Sequence, residues 1–303
     1  MTLLAGGVGG ARFARGLVAV VEPDGVTIIG NVGDDVELLG LHVSPDLDTV
    51  LYTLSGRIDP VNGWGVAGDT RATQGVSIEL GGPDWFILGD RDIGLHLVRS
   101  ERLRAGEPLS AITADLAQRL GLRVQLLPAT DDPLRTRIAT DAGELEFQQW
   151  LVGRRAVDLV RAVRFDGLPA APAPGVLEAI DNADVIMLAP SNPFVSLDPI
   201  LAVSGVRERL VGRREHVVAI SPIIAGKAVK GPLAGMLETL GPATGALGVA
   251  RLLAPVASAF LLDQADASLV PEIEKLGLRA IVAPSLMRDL ASSRALAMAA
   301  LTR

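Results

Sequence analysis

Six short apolar runs constrain the fold of this chain more than any other feature. TLLAGG (2–7), VTIIGN (26–31), ADVIMLAPSNP (183–193), HVVAISP (216–222), AFLLDQAD (259–266) and LRAIVAPS (278–285) are continuous and aliphatic, and each ends in a glycine, proline or polar loop. None alternates apolar with polar residues. An alternating strand keeps one face wet, whereas a continuous one is covered on both faces, as in a parallel sheet between two layers of helices. Helical patterns fill the gaps: GGARFARGLVAVV follows the first run, PILAVSGVRERLVG the third and GPLAGMLETLG the fourth. The alternation predicts an α/β fold with a mostly parallel sheet flanked by helices. Ligands in such sheets collect beyond the carboxyl ends of the strands, where these loops lie.

The middle of the chain reads differently. LSAITADLAQRLG (109–121) is an amphipathic helix and LRVQLLP follows it; TRIATDAGELEFQQWLV (136–152) reads as a hairpin turning at Asp141–Gly143. The proline-rich FDGLPAAPAPGV (165–176) leads back to the sheet. The expected organisation is one domain over 1–303, with a core of 1–100 and 176–303 and a smaller inserted subdomain at about 101–175.

Composition removes several function classes. The chain has 303 residues, 49% of them hydrophobic, a net charge of -7 and no cysteine. That length buries a substantial core. The acidic balance and the lack of a basic stripe argue against nucleic acid as a partner. Without cysteine there is no disulfide, thiolate metal site or thiol nucleophile. His42, His96 and His216 are too scattered for a histidine metal cage. No 18-residue apolar run predicts a membrane span, and the N-terminus lacks a signal-peptide pattern, so a cytoplasmic protein is expected.

The chemistry-bearing segments cluster at the predicted strand ends. AGGVGGARFARG (5–16) joins the first strand to the first helix and places Gly6, Gly7, Gly9 and Gly10 where a backbone can approach an anion at a helix N-terminus; a plain tight turn is the competing reading. No G-K-[ST] follows, so it is not a Walker A loop, and Arg12 stands where a dinucleotide fingerprint has its third small residue. The second strand ends in Gly30-Asn31 rather than in the acid that holds a ribose hydroxyl, which disfavours NAD. GDDVELLGLHVSPDLD (33–48) then brings Asp34, Asp35, Asp46 and Asp48 near that loop. Carboxylates beside a phosphate make sense if Mg²⁺ sits between them, because Mg²⁺ takes a few carboxylates together with phosphate oxygens and water. A helix cap is the competing role for Asp46. Trp64, flanked by glycines, either stacks on a planar ligand or plugs the core. Asp90, Arg91 and Asp92 follow an apolar run and either pair internally or serve a site. Ser191 and Asn192 read a base or cap a helix, and Lys227 and Lys230, two of three lysines, are either solvated or meet an anion. No Ser-His-Asp or Cys-His set is discernible.

Taken in order, LAGGVGGARFARGL, NVGDD, SPDLDTVLYTL, WFILGDRDIGLHLVRSERLRAGEPLS, FQQWLVGRRA, APSNPFVS and SPIIAGKAVKGP resemble the 2-phospho-L-lactate transferases of coenzyme F-420 biosynthesis, the CofD/FbiA family, over nearly the whole chain. The resemblance implies a Rossmann-like core, a Mg²⁺ requirement and a homodimer. It implies transfer of phospholactate, or in many bacteria of phosphoenolpyruvate, from a GDP-linked donor to the terminal ribityl hydroxyl of the deazaflavin Fo, with release of GMP. Branch membership leans toward phosphoenolpyruvate. Under that reading Gly6, Gly7, Gly9, Gly10 and Arg12 cradle donor phosphate, with Ser191, Asn192 and Lys227 as further donor contacts. Asp34 and Asp46 hold the metal, Asp48 and Arg91 match family positions contacting the deazaflavin, Asp48 is the candidate base and Trp64 stacks on the ring. The competing expectations are a non-catalytic nucleotide-sugar-binding regulator of the related gluconeogenesis-factor group and, on the glycine loop alone, a nicotinamide-dependent oxidoreductase.

Overall fold

A computed structural model describes residues 1–302. Strand β1 (Thr2–Ala5) runs into helix α1 (Gly7–Leu17), and β2 (Thr27–Gly30) leads to the hairpin β3 (Val36–Leu38) and β4 (Leu41–Val43), then to α2 (Pro45–Leu54). Helices α3 (Ala72–Glu79), α4 (Asp90–Arg104) and α5 (Leu109–Arg119) precede β5 (Gln125–Pro128). Next come β6 (Arg135–Thr140), β7 (Gly143–Glu146) and β8 (Val160–Asp166). The return half carries β9 (Ile186–Leu188), β10 (Val217–Ile220), the small hairpin β11 (Ile223–Ile224) and β12 (Lys227–Ala228), then β13 (Ala259–Asp263), β14 (Arg279–Ala283) and a last helix, Leu290–Leu301.

The main sheet has seven strands in the order β14-β13-β10-β9-β1-β2-β5, every neighbouring pair parallel. All six apolar runs are strands of it. The sheet centre is completely buried: Leu3, Leu4, Ile28, Ile29, Ile186, Leu188, Ala219 and Phe260 expose none of their surface. That two-sided burial is why the runs carry no alternation. From β1 the chain builds outward through β2 to β5, and from β9 it builds the other way through β10 and β13 to β14. The direction therefore reverses between β1 and β9, opening a crevice at their carboxyl ends.

The inserted segment is smaller than 101–175. Gln125–Pro128, inside that range, pairs in register with Thr27–Gly30 as the sheet's edge strand, and α5 leads directly into it. Its apolar run is only Leu126-Leu127, between Gln125 and Pro128, too short to stand out beside the six runs read as strands. What stands apart from the main sheet is the antiparallel sheet β7-β6-β8, whose first two strands form the predicted hairpin.

Helix α1 meets the last helix at close range. A Cβ on Gly16 would lie 2.3 Å from the backbone carbonyl oxygen of Ser293, which is itself fully buried. Gly16→Ala removes a helix-interior glycine, a change worth up to ~1 kcal/mol in its favour, but it forces two backbones apart in a packed core. The expected net result is a loss of about 1–3 kcal/mol in unfolding free energy by urea titration.

Candidate active site

A cavity of about 510 Å³ opens over the β1/β9 crevice, lined by the glycine loop, α2, the start of α4 and the loops after β9, β10 and β14. Its narrow end is the N-terminus of α1. Gly6 is the extended N-cap residue, and Gly7 adopts a left-handed φ of 67° with open space where a side chain would point. The first N–H groups of a helix lack intrahelical acceptors, so this end is an anion cradle. Gly6, Gly9 and Gly10 are glycines for a different reason. A Cβ on Gly6 would fall 2.7 Å from Asp46 Oδ2, one on Gly9 2.5 Å from the Pro190 carbonyl oxygen, and one on Gly10 3.0 Å from Ala5 Cβ.

Asp46 thus sits against the cradle. It is in the first turn of α2 behind Ser44 and Pro45, so it is not the helix cap. Asn31 fixes it: Nδ2 donates to Asp46 Oδ2 at 3.0 Å and to the Val195 carbonyl at 3.2 Å, while Oδ1 accepts from the Gly33 N–H at 2.8 Å. The residue that breaks the dinucleotide fingerprint at the end of β2 is therefore the one that aims a carboxylate at the phosphate cradle. Asp34, on the following loop, accepts a long 3.4 Å hydrogen bond from Thr136 on β6, and its backbone carbonyl accepts from Gln148. Burial, then repulsion from Asp46, pushes the Asp34 carboxyl well above the ordinary carboxylate range. Burial also pushes Asp46 up, to about 6; hydrogen bonds from Asn31 and the Gly7 backbone oppose the rise, while charge from Asp35 and Asp48 adds to it. Asp35 turns away, accepting from Ser44 Oγ and pairing with His42 Nε2, both at 2.8 Å.

Two buried carboxylates driven upward by desolvation and by neighbouring negative charge are the donor set that a divalent cation relieves. No group of three or more histidine, cysteine, aspartate or glutamate side chains suited to a metal exists among the described residues. Asp34 and Asp46 therefore fit Mg²⁺ held by one or two carboxylates plus ligand phosphate and water, rather than an all-protein cage. In the same cavity Arg12 of α1 and Lys230 supply positive charge. Lys230 Nζ donates to the Asn62 carbonyl at 3.1 Å, and burial, then the nearby Arg12 charge, lowers its pKa. Two cations held near each other on one wall favour an anionic ligand between them.

The wider end is mostly apolar, with Val43, Phe86, Ile87, Phe147 and Val152 facing Asp48, Tyr52, Asp92 and His96. Asp48 is 4% exposed, and both its oxygens grip the guanidinium of the fully buried Arg99: Nη1 donates to Oδ2 at 3.0 Å and Nη2 donates to Oδ1. Burial works against the Arg99 charge, and the Asp48 carboxylate more than reverses that effect. A carboxylate with both oxygens committed to a guanidinium is badly placed to take a substrate proton, which argues against the expected role of Asp48 as a base.

The cavity gathers Gly6, Gly7, Gly9, Arg12, Asp34, Asp46, Asp48, Trp64, Ser191 and Asn192 along its lining. Trp64 is 39% exposed at the mouth, so it is no core plug. Ser191 and Asn192 are largely occupied. Ser191 Oγ donates to the Gly6 carbonyl at 2.7 Å and accepts from the Gly6 N–H at 3.3 Å; Asn192 Oδ1 caps the next turn by accepting from the Phe194 N–H. Three expected residues do not arrive. Gly10 is buried, with the place of its missing side chain against Ala5 and Ser191, and it is not part of the lining. Arg91 donates to the Ala67 carbonyl at 3.0 Å and lies in a separate cleft with Arg57 and Arg119, because the first turn of α4 points it to the far side of that helix. Lys227 is exposed on β12, and its neighbour in sequence, Lys230, reaches the cavity instead. Asn31, Arg99 and His96 were not anticipated as site residues, and Asp92 was offered only as one of the three polar residues of the segment 90–92. Asp92, His96 and Arg99 fall at i, i+4 and i+7, one stripe of a helix, which is the pattern that would have found two of them.

Residues 1–279 match the family described as 2-phospho-L-lactate transferase CofD. The chain belongs to the CofD family. It is accordingly a transferase. Relatives named phosphoenolpyruvate transferase include one from Kitasatospora aureofaciens, 45% identical with 98% of this chain and 95% of the relative covered. Another, from Streptomyces coelicolor, is 42% identical with 100% and 97% covered, and one from Mycolicibacterium smegmatis is 40% identical with 99% and 97% covered. Among solved structures, a UPF0052 family member from Bacillus halodurans superposes with a TM-score of 0.64 at 17% identity, covering 99% of this CofD-family chain and 97% of its own, a likeness of fold.

The Asp48–Arg99 pair generates a stability prediction for this CofD-family protein. Arg99→Met keeps the side-chain volume but leaves the Asp48 carboxylate buried without its partner. The expected cost is about 3–5 kcal/mol by urea denaturation, and the double variant Arg99→Met with Asp48→Leu should recover most of it.

Proposed function

We propose that this protein transfers an enolpyruvyl phosphate group from a GDP-linked donor to the terminal ribityl hydroxyl of the deazaflavin Fo, with Mg²⁺, giving the dehydro form of coenzyme F-420-0 and GMP. The acceptor oxygen forms a bond to the distal phosphorus, the bond from that phosphorus to the GMP oxygen breaks, and the hydroxyl proton passes to the phosphate of the departing GMP. The observation that carries the reading is a single cavity that joins the glycine cradle and the Asp34–Asp46 pair to a wide apolar end. Its volume of about 510 Å³ suits two medium-sized ligands meeting inside it. The choice of enolpyruvate over phospholactate leans on the names of the 40–45% identical relatives.

The protein's own work in this reaction is positioning and charge. The N–H groups at the start of α1 bind donor phosphate, with Arg12 of the same helix and Lys230 supplying positive charge in the same cavity. Asp34 and Asp46 would hold Mg²⁺, which when bound neutralises phosphate charge and polarises the phosphorus for attack. Asn31 keeps Asp46 in place for that task. The apolar walls and Trp64 orient the ring so that its side chain extends toward the cradle, and they exclude water that would otherwise hydrolyse the donor. Phosphoryl transfer passes through a loose transition state, so orientation and charge compensation count for more than a strong base.

Purified protein incubated with Fo, Mg²⁺ and each guanylylated donor, with products separated by mass, tests the reading. Formation of dehydro-F-420-0 with the enolpyruvyl donor, abolished by chelation, is the expected result; binding of nucleotide without any product would instead favour a regulator. Asp46→Asn should lower kcat by at least ~100-fold and remove the rise in melting temperature that Mg²⁺ with GDP gives the wild type.

A further inference from the structure

Asp92 lines the wide end of the cavity from the first turn of α4. Its Oδ1 accepts the Tyr52 hydroxyl at 2.6 Å, and His96 Nε2 lies 3.3 Å away. Its Oδ2 accepts no hydrogen bond from any described residue, and the side chain keeps 13% of its surface open, toward the cavity. Arg99 cancels the neighbouring Asp48, whereas no arginine or lysine pairs with Asp92 among the described residues. Burial pulls the Asp92 carboxyl up, but the His96 and Tyr52 contacts outweigh it and leave it below its ordinary value, so it is an anion. The fully buried His96 has its Nε2 within reach of Asp92 but off the line of a good hydrogen bond, and its Nδ1 is 3.7 Å from Asp48 Oδ2. His96 thus braces the two carboxylates apart.

An ionised carboxylate oxygen left without a donor in a largely apolar cavity is costly unless a ligand satisfies it. We propose that Asp92 is a further carboxylate that recognises the acceptor, its Oδ2 accepting a hydrogen bond from an N–H or O–H of a planar heterocycle bearing a polyol chain. Tyr52 and His96 are positioning residues that fix Asp92 so that Oδ2 faces inward. The inference rests on the transferase reading above and names the group that selects its acceptor.

The test is a fluorescence titration of Fo against wild type and Asp92→Asn, with Mg²⁺ and GDP present and GDP affinity measured separately. The amide oxygen that this substitution introduces can still accept from Tyr52, while the new NH₂ puts a donor where the ligand needs an acceptor. Expected is at least a tenfold weaker Kd for Fo with GDP affinity within twofold. Fo affinity within twofold of wild type would overturn the proposal. D92S, which removes the carboxylate without inserting an amide, gives the same reading should D92N fold poorly. Repeating the titration with a deazaflavin lacking the ribityl chain locates the partner: an equal loss assigns Asp92 to a ring N–H, and a loss confined to Fo assigns it to a chain hydroxyl. If the wild type itself does not bind Fo, the transferase reading fails and this proposal with it; if only the variants match wild type, this proposal alone fails.

Discussion

The contact between Gly6 and the Asp46 carboxylate organises everything else at this site. An acid pressed against a helix N-terminus shares that end with any anionic ligand, and its charge is tolerable there because the Gly7 N–H and the Asn31 amide hydrogen-bond it. It demands a residue without a side chain at position 6, a helix α2 that crosses the sheet end closely enough to deliver the acid, and a second acid nearby. Gly30 meets the middle demand: a Cβ there would fall 2.4 Å from Leu47 Cδ2, so α2 lies directly on the end of β2. Repulsion between like charges is resolved by position. Asp35 is given to His42, Asp48 to Arg99, and only Asp34 and Asp46 are left facing the cradle without a cation of their own.

The fold was largely legible in the sequence, for a physical reason. Central strands covered on both faces need continuous apolar residues, and six of seven announced themselves that way. β5, an edge strand like β14, escaped because its apolar run is only Leu126-Leu127, bounded by Gln125 and Pro128. The narrow end of the site was legible too, since glycine clusters and acids at strand ends have few structural uses. The wide end was not. Arg99 and His96 are buried polar residues whose meaning depends on what α2 places opposite them, and spacing along one helix does not report that. Arg91 and Asp92 are adjacent in sequence yet serve different clefts, because successive helical residues point about 100° apart. Lys227 and Lys230 part company for a comparable reason: one lies on the short strand β12, the other beyond it where the loop turns back over the cavity.

Tyr52 connects the two ends of this account. It forms part of the wall of the main cavity and of the second cleft that holds Arg57, Arg91 and Arg119. Its hydroxyl is turned to Asp92, and burial, followed by the charges of Asp48 and Asp92, drives its pKa far above the ordinary phenol value. It therefore acts as a permanent donor, never as a phenolate, and a partition of that kind keeps the arginines behind it from competing for Asp92.

The reversal of strand order between β1 and β9 has a consequence for assembly. Residues that meet in the cavity come from both arms of the sheet, from Gly6 on one to Met287 on the other. Neither arm holds a usable half-site, since the cradle lies on the first and the loops that roof it on the second. During synthesis the ribosome must release nearly all of the described chain before a pocket exists. The complete lining of the cavity is therefore a property of the finished sheet, and a nascent or clipped fragment lacks it.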